Sequence, residues 1–290
     1  MENKVHFSKR RKPKSLRQDS LGKYLFLSFG GAFMALPLVY VILNAFKPLD
    51  ELFVFPPQFF VRNPTLDNFF DLFTLMSDSW VPFSRYLVNT LLITGVGTAG
   101  QVILASMAAY ALAKRNFPGK NIIFQSIVLA LMFSSRVTTI PSYLIMSELK
   151  WIDTYAAVIV PAFQSSLGLY LIKQFMESNV PNTLLEAARI DGAGEFRIWG
   201  SIVMPMVKPA WLTLIIMSVQ NLWNVSGSTY LYSEQLKPLT VALENLSDGG
   251  IARAGVSAAV SVVMMIVPVT MFVMVQSRVL ETMATSGMKG

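Results

Sequence analysis

The chain has 290 residues, of which 53% are hydrophobic and only 14% are charged, with a mean hydropathy of +0.50. Soluble globular domains usually carry about 25% charged residues, so this composition favours a lipid environment and excludes an intrinsically disordered chain. The sequence has no cysteine and a single histidine, His6, which excludes a disulfide, a thiolate nucleophile, a cysteine-ligated metal and a histidine cluster.

A basic segment precedes the first apolar run. Residues 1–23 carry lysine and arginine from Lys4 to Lys23, and we interpret them as a basic cytoplasmic tail. Such a tail is also typical of a nucleic-acid arm, but membrane topology accounts for its charge, so no nucleic-acid partner is expected. A cleaved signal peptide has an apolar core of about 7–15 residues. Since the run here is longer and is followed by FKPLDE, we interpret it as a retained helix.

Six apolar runs are long enough to cross a bilayer, which takes about 20 mostly apolar residues. They are approximately 24–46, 86–113, 122–146, 154–175, 210–232 and 256–277. The second run contains small residues such as Gly97 and Gly100, which let helix backbones approach closely. The predicted fold class is an all-α membrane protein with six transmembrane helices, and 24–290 form one transmembrane domain.

The distribution of charge predicts the orientation. Six spans place both termini on one side, and if that side is cytoplasmic, the cytoplasmic segments carry 17 Lys and Arg against 7 Asp and Glu. The external segments then carry 6 and 10. This bias agrees with the positive-inside rule, so we expect a multi-pass protein with both termini cytoplasmic.

The external stretch between the first two spans, 47–83, contains one amphipathic pattern. Asn63 and Pro64 predict a turn, and Leu66, Phe69 and Phe70 then follow at helical spacing. We expect a short helix that lies at the outer membrane surface.

The sequence lacks the residues that usually serve a proton relay and those that usually bind the phosphates of ATP. None of the six predicted spans contains Asp or Glu, which counts against a proton relay. The nearest fragment to a phosphate-binding loop is Gly119–Lys120, which lacks the upstream glycine and the hydroxyl residue. If this chain moves a solute uphill, a partner must supply the energy.

The predicted cytoplasmic loop over about 178–209 contains two short helices. Thr183 and Glu186 have the spacing of a capping box, which predicts a helix that runs to about Ile190 and ends at Asp191–Gly192. A second helix should place Phe196, Trp199 and Ile202–Val203 on one face and end at Pro205 and Pro209. A docking surface and an ordinary amphipathic loop both remain compatible with this pattern alone.

The same loop carries a motif. EAARIDGA, followed by Ile202, Met204–Pro205 and Pro209, resembles the EAA loop of bacterial ABC importer permeases, with Met204 in place of the usual leucine. The resemblance extends to FKPLDELFVFPP, TLDNFFDLF, AAYALAKRNFPGK, LWN and the terminal GMKG, which resemble the second permease subunit of the maltose-type carbohydrate importers. One departure follows LWN, where this chain has Val225-Ser226-Gly227-Ser228-Thr229 in place of an acidic or amide residue and a Pro-Leu pair.

The resemblance implies a type I ABC importer permease architecture with a cytoplasmic coupling helix, in a bacterial inner or plasma membrane. It implies as partners a second homologous permease subunit, a dimer of ABC ATPase subunits, an extracytoplasmic sugar-binding protein and the lipid membrane. No cofactor is expected on this chain, since ATP and Mg would be held by the ATPase, and the chain is not expected to be an enzyme by itself. The residues implied in ATPase coupling are Glu186, Ala187, Ala188, Asp191, Gly192, Ala193 and Pro205, and those of the C-terminal tail that reaches the ATPase are Met288, Lys289 and Gly290.

Candidates for a sugar path follow from polar residues inside the spans. Arg136 is the one charge well inside a predicted span, and such a residue marks either a functional site or an arginine capped by backbone carbonyls. The other candidates are Gln164, Gln220, Asn221 and Asn224, which either line a pore or join helices by hydrogen bonds. We expect a permease subunit for a carbohydrate, such as an oligosaccharide. A permease for a non-sugar solute, an ion-coupled carrier and a membrane scaffold are the alternatives.

Overall fold

The computed structural model describes residues 18–77, 80–133, 135–225, 229–247 and 250–287, and no strand occurs among them. The helices in chain order are α1 (Gln18–Ala45), α2 (Leu49–Leu52), α3 (Asp67–Ser77), α4 (Phe83–Lys114), α5 (Lys120–Ala130), α6 (Ser135–Glu148), α7 (Ala156–Ala162), α8 (Ser166–Asn179), α9 (Asn182–Ile190), α10 (Glu195–Arg197), α11 (Met204–Met206), α12 (Lys208–Trp223), α13 (Leu239–Ser247) and α14 (Ala254–Gly287). A π-helical segment, Ile198–Val203, joins α10 to α11. The predicted tail over 1–23 lies mostly outside the described residues, and α1 already begins at Gln18.

Helix α4 is the centre of the bundle and packs against α7, α8, α12 and α13. Its small residues permit this packing, as the sequence predicts. A Cβ on Gly97 would lie 2.6 Å from Leu222 Cδ1, and one on Gly100 would lie 2.2 Å from the ring of Phe163. We name the two ends of the bundle after this helix, the Phe83 end and the Lys114 end.

Four helical stretches of the described chain are long and apolar enough to cross a membrane: Gly22–Ala45, Phe83–Lys114, Ala156–Asn179 and Ala254–Gln276. A bent pair, Glu195–Met206 with Lys208–Trp223, makes a fifth candidate. These stretches overlap five of the six predicted runs. The predicted third run, 122–146, is divided into α5 and α6. Of these two helices only α5 counts as apolar, and it is shorter than a membrane span.

The divided run breaks after Ala130. There the backbone N–H of Leu131 bonds to Val128 O at 3.2 Å, which is the tighter spacing of a helix end. Neither glycine nor proline stands at this position, so the sequence gives no signal for the break. The fourth run also breaks, between α7 and α8, and there Ser165 caps α8 by accepting a hydrogen bond from Gly168 N at 3.0 Å.

The fifth predicted run, 210–232, was wrong at its end. Helix α12 ends at Trp223, nine residues before the predicted limit of 232. The preceding helix ends at Met206, between the two prolines predicted to end it, and the chain bends by 85° at Val207. Pro209 has no N–H and begins the new helix, while the indole N–H of Trp211 donates to Met204 O at 2.9 Å across the bend.

Helix α3 confirms the predicted amphipathic helix, and it packs on α14. Leu72 and Met76 are buried in a cluster with the start of α4 and with α13 and α14, whereas Phe70 and Phe73 stay exposed. The buried amide of Asn68 donates to Ala45 O at 2.9 Å and to Lys47 O at 2.8 Å. These bonds fasten α3 to the end of α1.

The Phe83 end of α4 holds the segment 229–238 that follows α12. The amide of Asn89, which is 1% exposed, donates to Gln235 O at 2.8 Å and Lys237 O at 2.9 Å. Asp153 accepts hydrogen bonds from the backbone N–H and the hydroxyl of Ser233, and these bonds lower the pKa of the Asp153 carboxyl below its ordinary value. The segment is therefore fixed to α4 and to the start of α7.

The packing around Gly100 generates a stability prediction. In Gly100→Ala the new methyl group would overlap the rigid ring of Phe163, so we expect a loss of about 1–3 kcal/mol. The measurement is the thermal unfolding midpoint of the detergent-solubilised chain. Gly95→Ala is the matched control, because a Cβ there meets nothing within 4 Å, and equal midpoints for the two variants would contradict the close packing.

Candidate functional site

The candidate site is the loop at the Lys114 end that contains α9 and α10. Helix α9 begins after Pro181, which has φ −67° and ψ 137° and makes no side-chain cap. The predicted capping box between Thr183 and Glu186 was therefore wrong, because the helix starts at Asn182 and Thr183 lies within its first turn. The sequence located the end of the helix correctly, at Ile190.

Helix α9 has one buried face and one exposed face. Leu185 is 1% exposed and joins Ala188 in the core cluster at the Lys114 end. On the other face Glu186 and Ala187 are exposed, and Ile190 is 87% exposed. Ala188, one of the residues implied in ATPase coupling, is buried and packs in this cluster.

The turn after α9 is a Schellman motif, which is the usual way for glycine to end a helix. Ala193 N bonds to Ala188 O at 2.9 Å, and Gly192 N bonds to Arg189 O at 3.0 Å, with Asp191 as the C-cap. Gly192 has φ +79°, a conformation that side chains disfavour, and a Cβ there would meet nothing within 4 Å. The turn therefore requires glycine for its backbone, and the space above Gly192 is open to a partner.

The second helix presents a different face from the predicted one. Ile198 and Val203 are fully buried, while Phe196 is 74% exposed and Trp199 is partly buried. The reason is the π-helical segment Ile198–Val203, whose wider turn shifts the register that a 3.6-residue period predicts. Pro205 is exposed at the end of this segment.

Glu195 is the centre of a polar cluster that the sequence did not reveal. Its carboxylate accepts from Tyr110 Oη at 2.6 Å and from Arg189 Nε at 2.9 Å, and it lies 3.3 Å from Arg115 Nη1. The hydrogen bond to Glu195 raises the pKa of Arg189 above its ordinary value, so the guanidinium stays charged. Four residues further along α4 than Tyr110, the Lys114 ammonium donates to Val180 O at 2.6 Å.

This cluster brings together residues 85 positions apart, from Tyr110 to Glu195. The sequence offers one partial signal, since Tyr110 and Lys114 are four residues apart and share a face of α4. Nothing in a single sequence pairs that face with Glu195.

The proposed sugar-path residues fall into two groups. Gln220, Asn221 and Asn224 are exposed near the end of α12, and the Asn224 amide donates to Gln220 O at 2.7 Å. Gln164 is exposed at the break between α7 and α8, beside a cavity of about 420 Å³ that Leu104 and Phe163 help to line. Three of the predicted features lie outside the described residues. They are the side chain of Arg136, positions 226–228 of the departure that follows LWN, and the tail residues Met288, Lys289 and Gly290.

The comparison with protein families identifies the class. Residues 101–283 match the family described as "Binding-protein-dependent transport system inner membrane component". The match spans more than half of the chain and includes α9, the Gly192 turn and Glu195. The chain belongs to this family of membrane transport components.

Particular relatives and one structure are similar to the chain. Protein LplC of Bacillus subtilis is 33% identical over 72% of this chain and 68% of its own length. The arabinooligosaccharides transport system permease protein AraQ of Halalkalibacterium halodurans is 29% identical over 91% of this chain and 96% of its own length. A crystal structure of a bacterial ABC transporter involved in the import of alginate has a chain with TM-score 0.75 and 20% identity, covering 94% of this chain and 99% of that one, which supports the fold.

The Schellman turn generates the next prediction. In Gly192→Ala the residue at 192 must hold a left-handed backbone, so we expect α9 to lose about 1–2 kcal/mol of local stability while the transmembrane core stays folded. The measurement is the rate of proteolysis between 182 and 195 in the purified chain. Gly194→Ala is the matched control, because Gly194 has φ −69° and open space around its Cα. The same proteolysis rate for both variants would mean that the turn does not depend on glycine.

Proposed function

We propose that this chain is one of two permease subunits of an ATP-driven importer for an oligosaccharide, and that α9 is its coupling helix. The observation that carries the proposal is the outward face of α9. In the described part of the chain Glu186 has no ion-pair partner, and Ile190 has 87% of its surface exposed beside it. An exposed apolar residue next to a free carboxylate and a glycine turn suits a protein partner that docks from outside the bundle.

The energy source is proposed to be an ABC ATPase dimer, which would hold the ATP and Mg. The sequence has no phosphate-binding loop, so a partner would have to hydrolyse the ATP. Membership of a binding-protein-dependent transport family supports the ATPase and an extracytoplasmic binding protein as partners.

The proposed architecture has six spans of the type I importer kind, in a bacterial inner membrane. The five candidate stretches supply five spans, and α5 with α6 would form the third as a broken span. Asn68 joins the end of α1 and, through its contact with Gly255, the start of α14 at the Phe83 end, and α1 packs along α14. This geometry supports both termini at the Lys114 end, which the positive-inside rule assigns to the cytoplasm.

The pore is proposed to form against the second permease subunit. Gln220, Asn221 and Asn224 supply amide groups on an exposed face of α12, and Gln164 supplies another at a helix break. Sugars need hydrogen-bonding partners of this kind, and Arg136 would add a charge on the same path. The tail residues Met288, Lys289 and Gly290 are proposed to contact the ATPase.

The carbohydrate class is supported by the relatives, since AraQ is a permease for arabinooligosaccharides and covers nearly the whole chain. An importer for a non-sugar solute would use the same coupling loop. Uptake assays with arabinooligosaccharides and with small charged solutes would separate the two.

The test of the coupling role reverses the exposed charge on α9. We expect Glu186→Lys to leave the permease in the membrane but to release the ATPase, because the loss of one partner of a charge pair buried at an interface costs about 2–5 kcal/mol. The measurement is co-purification of tagged ATPase with each permease variant.

Glu244→Lys is the matched control, since Glu244 is an exposed glutamate on α13 at the Phe83 end. We expect this variant to retain the ATPase at the level of the unmodified chain. If Glu186→Lys also retains it and supports normal uptake, α9 is not the coupling helix.

A further inference from the structure

Two polar contacts fasten α9 to α4, one at each end of the shorter helix. At the start of α9, Lys114 Nζ donates to Val180 O at 2.6 Å and to Asn182 Oδ1 at 3.2 Å. At the end of α9, Arg189 reaches the Glu195 carboxylate, which also binds Tyr110 of α4. The last turn of α4 is therefore joined to both ends of α9.

The apolar packing of α9 is small by comparison. Within α9 only Leu185 and Ala188 are buried, and an alanine contributes little contact area. The remaining face is open to a partner. The orientation of α9 on the bundle therefore depends strongly on the polar contacts. Glu195, which lies on α10, contacts both α4 through Tyr110 and α9 through Arg189.

Helix α4 is suited to carry a movement away from this point. It spans 32 residues without a proline, and at its Phe83 end Asn89 holds the segment 229–238 while Thr90 accepts a hydrogen bond from Leu239 N at the start of α13. A push on α9 that is transferred to α4 would therefore reach the opposite end of the bundle.

We propose that Glu195 is a positioning residue that locks α9 to α4, so that the two helices move as one rigid body when the ATPase acts on α9. The proposal rests on the proposed function, because it assumes that a partner moves α9. It assigns Glu195 a role distinct from that of Glu186, since Glu186 faces outward and Glu195 faces α4.

The experiment measures distances with spin labels in the full complex of both permeases and the ATPase. This chain has no native cysteine, so in a complex whose other subunits carry none, Thr183→Cys on α9 and Val88→Cys near the Phe83 end of α4 give the two labels, on the order of 40 Å apart. Distances are recorded without nucleotide and with ADP trapped by vanadate after ATP hydrolysis.

In the otherwise unmodified complex we expect a single narrow distance that is the same in both states. In Glu195→Ala we expect a broadened distribution and a shift between the two states, with the ATPase still bound. Glu195→Gln keeps an acceptor for Tyr110 and Arg189 and should recover most of the narrow distance. If Glu195→Ala does not fold, Tyr110→Phe takes its place, because it removes the hydroxyl that binds Glu195 and keeps the ring. We then expect the same broadening, and a narrow, constant distance in Tyr110→Phe would overturn the proposal.

Glu148→Ala is the matched control, because it removes an exposed carboxylate at the end of α6, a helix that supplies none of the contacts between α4 and α9. We expect it to leave the distance narrow. Three results would overturn the proposal: a narrow and constant distance in Glu195→Ala, equal broadening in Glu148→Ala, or loss of the ATPase from Glu195→Ala. If the unmodified permease itself fails to bind the ATPase, the proposed function fails instead.

Discussion

The rest of the structure depends on the close approach of helices to α4. Gly97 and Gly100 leave room for Leu222 of α12 and for the ring of Phe163 between α7 and α8. In a lipid environment the hydrophobic effect contributes little between helices, so such van der Waals contacts have to hold the bundle together. The position of α4 then fixes where its two ends, and the polar groups on them, meet the other segments.

The two ends of α4 bind different segments of the chain. At the Phe83 end, Asn89 binds two carbonyl oxygens of the segment that follows α12. At the Lys114 end, Lys114 and Tyr110 reach both sides of α9. A single unbroken helix thus connects the loop that holds the exposed face of α9 to a segment on the opposite side of the bundle, which is the connection that the proposed coupling role requires.

Several elements followed from the sequence because their signals are local. The limit of α9 at Ile190 and the glycine turn after it are set by residues within one helical turn, and the Schellman bonds confirm them. The predicted capping box was wrong because α9 begins after Pro181 without a side-chain cap. The predicted buried face of the second helix was wrong because a π-helical segment changed the helical period.

The sequence by itself determined that this chain is an all-helical membrane protein with one exposed loop of the EAA kind, since apolar length and local motif spacing decide both. The tertiary structure decided which residues of that loop are anchored and which are exposed. Tyr110 and Glu195 meet only because α4 and α10 are packed at the same end of the bundle, and no local pattern encodes a contact over such a separation. The same reason explains why Ala188 points inward while Ile190, two residues later, is left open to a partner.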